Sequence, residues 1–167
     1  IAYSDENAYT IFETMNDRGL NLTPSEMLKG FILSRFDHAD KRQKANELWK
    51  KAVMELKAFE KDEDQRFFQS WLRAQYADTI RPGKAGSKNE DFEKIGTRFH
   101  SWVRDNLNKV GLDPESGTSF EQFIQHEFQF FLKAYTHILK AEKVLNARLE
   151  HVYYIHRWGI APTLSFP

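Results

Sequence analysis

A chain of 167 residues, 41% hydrophobic and 29% charged, is long enough to bury about 70% of its area around one core, and too apolar to be disordered throughout. Its 24 Lys+Arg balance 24 Asp+Glu, so it lacks the overall basic excess of a dedicated nucleic-acid binder, although a local basic patch is still allowed. The absence of cysteine excludes disulfides, thiolate metal sites and thiol nucleophiles, and no apolar run approaches the ~18 residues of a membrane span.

In chain order, Asp5 predicts a helix N-cap, with Ala8, Ile11, Phe12 and Met15 on one face. Asn16-Asp17-Arg18-Gly19 breaks that pattern. Thr23-Pro24-Ser25-Glu26 predicts a second start, with Thr23 as N-cap, Pro24 at the first helical position and Glu26 closing a capping box. Met27, Leu28, Phe31, Ile32 and Phe36 form its apolar face. Asp40 is the expected opening of a third helix, whose stripe holds Ala45, Leu48, Trp49, Ala52, Val53, Leu56 and Phe59. Asp62-Glu63-Asp64 places acids in the first turn of a fourth, where the helix dipole favours them, ahead of Phe67, Phe68, Trp71, Leu72 and Tyr76.

Residues 80–89 hold Pro82, Gly83, Gly86 and Ser87 and read as an exposed loop. A helix from about Glu90 carries Phe92, Ile95, Phe99, Trp102, Val103 and Leu107. After a loop over 111–118, Ser119 and Gln122 predict a capping box on a helix that reaches Asn146, roughly 42 Å at 1.5 Å per residue. Its expected stripe is Phe120, Ile124, Phe128, Phe131, Tyr135, Ile138 and Leu145, interrupted by Glu142 and widened by Phe123, Phe130 and Leu132, which implies two covering neighbours. A last helix holds Leu149, Val152, Tyr153 and Ile155 and ends near Gly159. No segment alternates with period two. The expectation is therefore an all-α protein, an irregular antiparallel bundle of about seven helices forming one domain over 1–167. The start at Ile1 without Met, and the apolar end around Leu164 and Phe166, suggest a piece of a larger protein; with no signal peptide at its start, the chain reads as cytoplasmic.

Chemistry-bearing patterns are few. The six histidines form no HExxH pair, and His151 and His156 do not share a helix face, so no metal site is assigned. Glu55-Leu56-Lys57 imitates the tail of a nuclease motif on the wet face of a regular helix, and no phosphate-binding glycine loop occurs. No catalytic residue is assigned. The aromatic residues recur at helical spacing, which points to core packing. Arg81, Lys84 and Lys88 sit on the Pro/Gly loop as candidate phosphate contacts, although Glu90 and Asp91 follow and offset their field. The sharpest constellation is Asn16-Asp17-Arg18-Gly19 between two helices. Asn16 and Gly19 accept a left-handed turn, and Arg18 offers a five-donor fork for phosphate or carboxylate.

The segment IFETMNDRGLNLTPSEMLKGFIL, residues 11–33, resembles the IFE-x-x-N-x-RG-x-x-L-[ST]-x-x-[DE]-[LM]-[LI]-K segment of the GmrSD-type restriction proteins, a bacterial and archaeal family. RFFQSWLRAQYADTIRP and NEDFEKIGTRFHSWV resemble the helical region that follows in that family, more loosely. The resemblance implies a parent with an N-terminal ParB/sulfiredoxin-like domain that binds and hydrolyses nucleotide through Asp-Gly-Gln-Gln-Arg, then a helical region, then a His-Me-finger nuclease. Relatives of this type cut phage DNA carrying modified bases. This chain corresponds to the helical middle. Asp64-Gln65-Arg66 imitates the nucleotide motif without its Gly, and the nuclease motif is missing. The fragment is accordingly expected to hold no cofactor and no activity of its own, while its parent would use a nucleoside triphosphate and a divalent metal. Asn16, Arg18 and Gly19 would face the nucleotide domain or its ligand. The partners would be the flanking domains and DNA, with no membrane. The alternative is a helical protein–protein interaction module unrelated to DNA cleavage.

Overall fold

The structure, a computed structural model, describes residues 22–158. Their regular structure is helical, with no strand among them. The expected helix after Asp5 and the turn at Asn16-Asp17-Arg18-Gly19 lie outside the described residues. The chain divides into two compact units, the first ending at Phe128 and the second starting at Gln129.

The first unit opens with α1 (Pro24–Ser34). Its start follows the predicted chemistry. Thr23 Oγ1 accepts from the Glu26 amide at 3.3 Å, and the Glu26 carboxylate accepts from the Thr23 amide at 2.8 Å. That exchange satisfies two donors the helix would otherwise leave open. Leu28, Phe31, Ile32 and Phe36 are buried, whereas Met27 is half-buried.

Helix α2 (Ala39–Lys57) begins one residue before Asp40, with His38 at the N-cap position and no side-chain cap. Asp40 sits in the first turn instead, where its charge still meets the helix dipole. Helix α3 (Glu63–Tyr76) carries Glu63 and Asp64 in its first turn as expected, but both are buried. Lys57 Nζ stands 3.8 Å from Asp64 Oδ2, and Arg66 Nη1 stands 3.7 Å from Glu63 Oε2.

Helix α4 (Asp91–Asp105) has its own capping box, between Glu90 and Glu93. It leaves helical geometry at exposed Arg98 (φ −144°, ψ 55°) and resumes through buried Phe99 and His100. A single 3-10 turn (Leu107–Val110) ends on Gly111, whose φ of 73° suits a residue without Cβ.

The next helix, α5 (Gly117–Gln122), starts two residues before the expected cap. Ser119 does not cap it. Its hydroxyl accepts from the Asp113 amide at 3.0 Å and lies 2.8 Å from the Ser116 carbonyl, so it closes the preceding loop. The absence of a Cβ at Gly117 leaves room for the Asp37 carboxylate and the Arg35 carbonyl.

A π-helical segment, Phe123–Phe128, follows. Five residues apart, Phe123 and Phe128 would diverge on an α-helix, but the wider turn puts both in the core. The core is largely aromatic. Trp49 packs against both Phe68 (5.1 Å, 20°) and Phe128 (4.9 Å, 10°), which lie 5.8 Å from each other, Trp71 stacks on Phe123 at 5.2 Å, and Phe68 on Phe99 at 5.4 Å. Phe31 meets Phe120 edge-on at 6.2 Å.

The second unit holds α6 (Gln129–Lys143) and α7 (Glu150–Arg157), which contact one another. The long helix expected from Ser119 to Asn146 is thus replaced by three consecutive segments that end at Lys143. In α6 the buried positions are Leu132, Thr136 and Ala141, whereas Phe131 and Tyr135 are half-buried and Ile138 is exposed. Of the residues expected to widen the stripe, Phe123 and Leu132 are buried and Phe130 is exposed; the stripe through Phe131, Tyr135 and Ile138 slips by one residue because a π turn absorbs an extra residue and displaces the periodicity beyond it. Helix α7 has no buried residue, and Leu145, Tyr154 and Trp158 are exposed.

Candidate functional site

Asn16, Arg18 and Gly19 are outside the described residues. Arg81, Lys84 and Lys88 are exposed on the loop between α3 and α4, as expected. Gly86 turns that loop at φ 79°, and the Ser87 amide donates to the Lys84 carbonyl at 3.2 Å.

Arg81 is already committed. Its amide donates to Glu93 Oε2 at 3.0 Å, and its Nη1 donates to Asn89 Oδ1 at 3.3 Å. The Glu93 carboxylate also takes the Glu90 amide at 3.1 Å. Burial pushes the Glu93 carboxyl upward, but these amides and the Arg81 charge outweigh it and hold the group below its ordinary value. The loop therefore folds back on its own helix start, leaving Lys84 and Lys88 at its exposed tip.

A second cationic arrangement lies between α1 and α2. There Lys29, Leu33, Ala39, Arg42, Gln43 and Asn46 line an open groove of about 400 Å³. The capping box sets where α1 begins and so where Lys29 falls. The turn from α1 into α2 is held by Arg42, whose Nη2 donates to the Phe36 carbonyl at 2.9 Å. Arg42 Nε is buried and meets no acceptor among the described residues. Burial, then the charge of Lys50, push the Lys29 ammonium below its ordinary value, with Glu26 acting in the opposite direction. Glu26 is itself engaged by the Thr23 amide and hydroxyl. At the margin, Gln43 Nε2 donates to Glu47 at 3.2 Å. No carboxylate belongs to the lining.

Arg42, Asn46 and Lys50 recur every four residues along α2 and share one face. That spacing was visible in the sequence. Lys29 closing the opposite side was not, because it depends on how α1 turns into α2.

Among the described residues no three His, Asp or Glu side chains gather as a metal site. His100 is the one buried histidine among them, and the other five are exposed. Asp64 and Arg66, in the imitation nucleotide motif, lie in the regular helix α3 and serve its ion pairs. No described helix is long and apolar enough to cross a membrane.

These features define an all-helical protein with a cationic, amide-bearing groove on its first unit. Compared with family models, curated proteins and solved structures, the chain finds no match in any of the three.

Proposed function

We propose that this chain is the helical middle region of a GmrSD-like, modification-dependent (type IV) restriction protein. In this reading it is an irregular antiparallel bundle that braces a nucleotide-binding domain and links it to a nuclease domain, both outside these 167 residues. The parent is a nucleotide-dependent DNA endonuclease of phage defence, working in the cytoplasm with a nucleoside triphosphate and a divalent metal. The observation that carries the reading is the 11–33 segment. Its second half is a rigid, doubly capped helix start, which suits an element that transmits position from one domain to another.

Two measurements test it. The coding sequence on either side should encode Asp-Gly-Gln-Gln-Arg upstream and a His-rich nuclease motif downstream. In the full-length protein, Arg18→Ala should lower phage restriction at least tenfold, about 1.4 kcal/mol, by removing a charge-assisted fork from the domain contact. The melting temperature of the 167-residue chain should barely move. Wild-type restriction by Arg18→Ala, or unrelated flanking sequence, rejects the reading. The second reading, a helical protein–protein interaction module, is favoured by exposed Phe130, Val144, Leu145 and Trp158 in the second unit.

A further inference from the structure

We propose that the groove between α1 and α2 is a phosphate-binding track that grips the sugar-phosphate backbone of duplex DNA. Lys29 supplies charge, Arg42 a fork, and Gln43 and Asn46 amide donors; Lys50, one turn beyond the lining on the same face of α2, extends the cationic track. Backbone contacts of protein–DNA interfaces are drawn from these residue types.

Three observations point to this occupant. The lining is cationic and amide-bearing with no carboxylate, so it complements a polyanion. Arg42, in the lining, is held in place by the bond from its Nη2 to the Phe36 carbonyl at 2.9 Å, so its fork is positioned before any ligand arrives. Lys29 and Lys50 feel each other's charge, so an anion between them relieves a repulsion that folding imposes.

The groove is open, and the line from Arg42 to Lys50 runs about 12 Å at 1.5 Å per residue. One strand of duplex presents a phosphate per ~3.4 Å of axis, so this length suits a run of backbone better than a single nucleotide. No aromatic side chain lines the groove, which argues against a single strand held by base stacking. The preference for DNA over RNA rests on the restriction reading above; the phosphate chemistry does not.

The experiment is fluorescence anisotropy of the 167-residue chain with a labelled 20-base-pair duplex across a salt series. Wild type should bind in a salt-dependent manner. Lys29→Gln with Lys50→Gln should weaken binding at least tenfold at low salt. It should also reduce the slope of log K against log salt by roughly 1.8, the loss of two phosphate contacts. Asn46→Asp, which adds a negative charge and removes no cation, should weaken binding as well, so the result does not hang on one variant folding. Lys51→Gln, on another face of α2, should bind as wild type. Circular dichroism and melting confirm that each variant is folded.

The proposal is overturned if wild type does not bind, if the groove variants bind unchanged, or if Lys51→Gln loses as much. It is also overturned if Lys84→Gln with Lys88→Gln abolishes binding while the groove variants do not. Displacement of the duplex by polyglutamate at equal charge concentration would point to an acidic protein instead. Equal, groove-dependent affinity for duplex RNA would overturn the DNA assignment and the restriction reading's support for it, while leaving the phosphate track. The Arg18→Ala assay fails or succeeds independently of all these outcomes.

Discussion

Asp91 and Lys109 are joined by a 2.6 Å ion pair that ties the first turn of α4 to the 3-10 turn beyond its end. Asp91 Oδ1 also accepts from Trp102 Nε1 at 3.0 Å, and Lys109 reaches Asp78 at 2.8 Å. Asp91 thus fastens the helix to its exit, and Lys109 carries the link on to Asp78 in the loop before α4. Burial pushes the Asp91 carboxyl upward, but the Lys109 and Trp102 hydrogen bonds and the Lys109 charge prevail, leaving it below its ordinary value. Hydrogen bonds to Asp78 and Asp91 hold the Lys109 ammonium above its own.

Two opposite pH dependences follow. The depressed Asp91 contributes stability that is present above its unfolded value and is lost as pH falls through the folded one. The elevated Lys109 contributes stability that is present below its unfolded value and is lost as pH rises through the folded one. Asp91→Asn should therefore flatten the acid limb below about pH 4 in a plot of urea midpoint against pH. At neutral pH it should cost about 1–2 kcal/mol, discounted for the partly exposed lysine. An unchanged acid limb would show that the pair carries no linkage.

Trp49 is 2% exposed and packs against the Phe68 and Phe128 rings, so Trp49→Ala should cost about 3–5 kcal/mol in urea unfolding. A loss under about 1 kcal/mol, the level of an ordinary surface change, would contradict its place in the core.

Gly96 and Arg73 predict a sign reversal. A Cβ at Gly96 would collide with the Arg73 guanidinium, which lies 4.0 Å from the Phe92 ring and donates to the Phe92 carbonyl at 2.9 Å. Gly96→Ala should destabilise the wild type by about 1 kcal/mol, by displacing that cation and its bond. In an Arg73→Ala background the same change should stabilise by up to about 1 kcal/mol, because alanine is the better helix former. A double-mutant cycle on melting curves measures the difference, and additive effects would exclude the collision.

Ser25 is buried, and its hydroxyl has no partner among the described residues. Ser25→Ala should raise stability by about 0.5–1 kcal/mol, since it removes an unmade hydrogen bond and favours the helix. A fall in the thermal midpoint would mean that the hydroxyl is satisfied.

The sequence by itself determined the elements and most of the core. Helical periodicity marked Leu28, Phe31, Trp49, Phe67, Trp71 and Trp102 as inward, and all are buried, because spacings of three and four admit one face only. Thr23-Pro24-Ser25-Glu26 fixed a helix start because its hydrogen bonds are local. What sequence could not reach depends on neighbours distant along the chain. At the π turn over Phe123–Phe128, Trp49 and Trp71 receive Phe128 and Phe123, and that turn moves Phe131, Tyr135 and Ile138 off the buried face while the expected Leu132 stays on it. The burial of Glu63 and Asp64 is likewise a matter of packing. So is the groove: Arg42, Asn46 and Lys50 were legible as one face of α2, but only the turn pinned by Arg42 on the Phe36 carbonyl makes Lys29 its opposite wall.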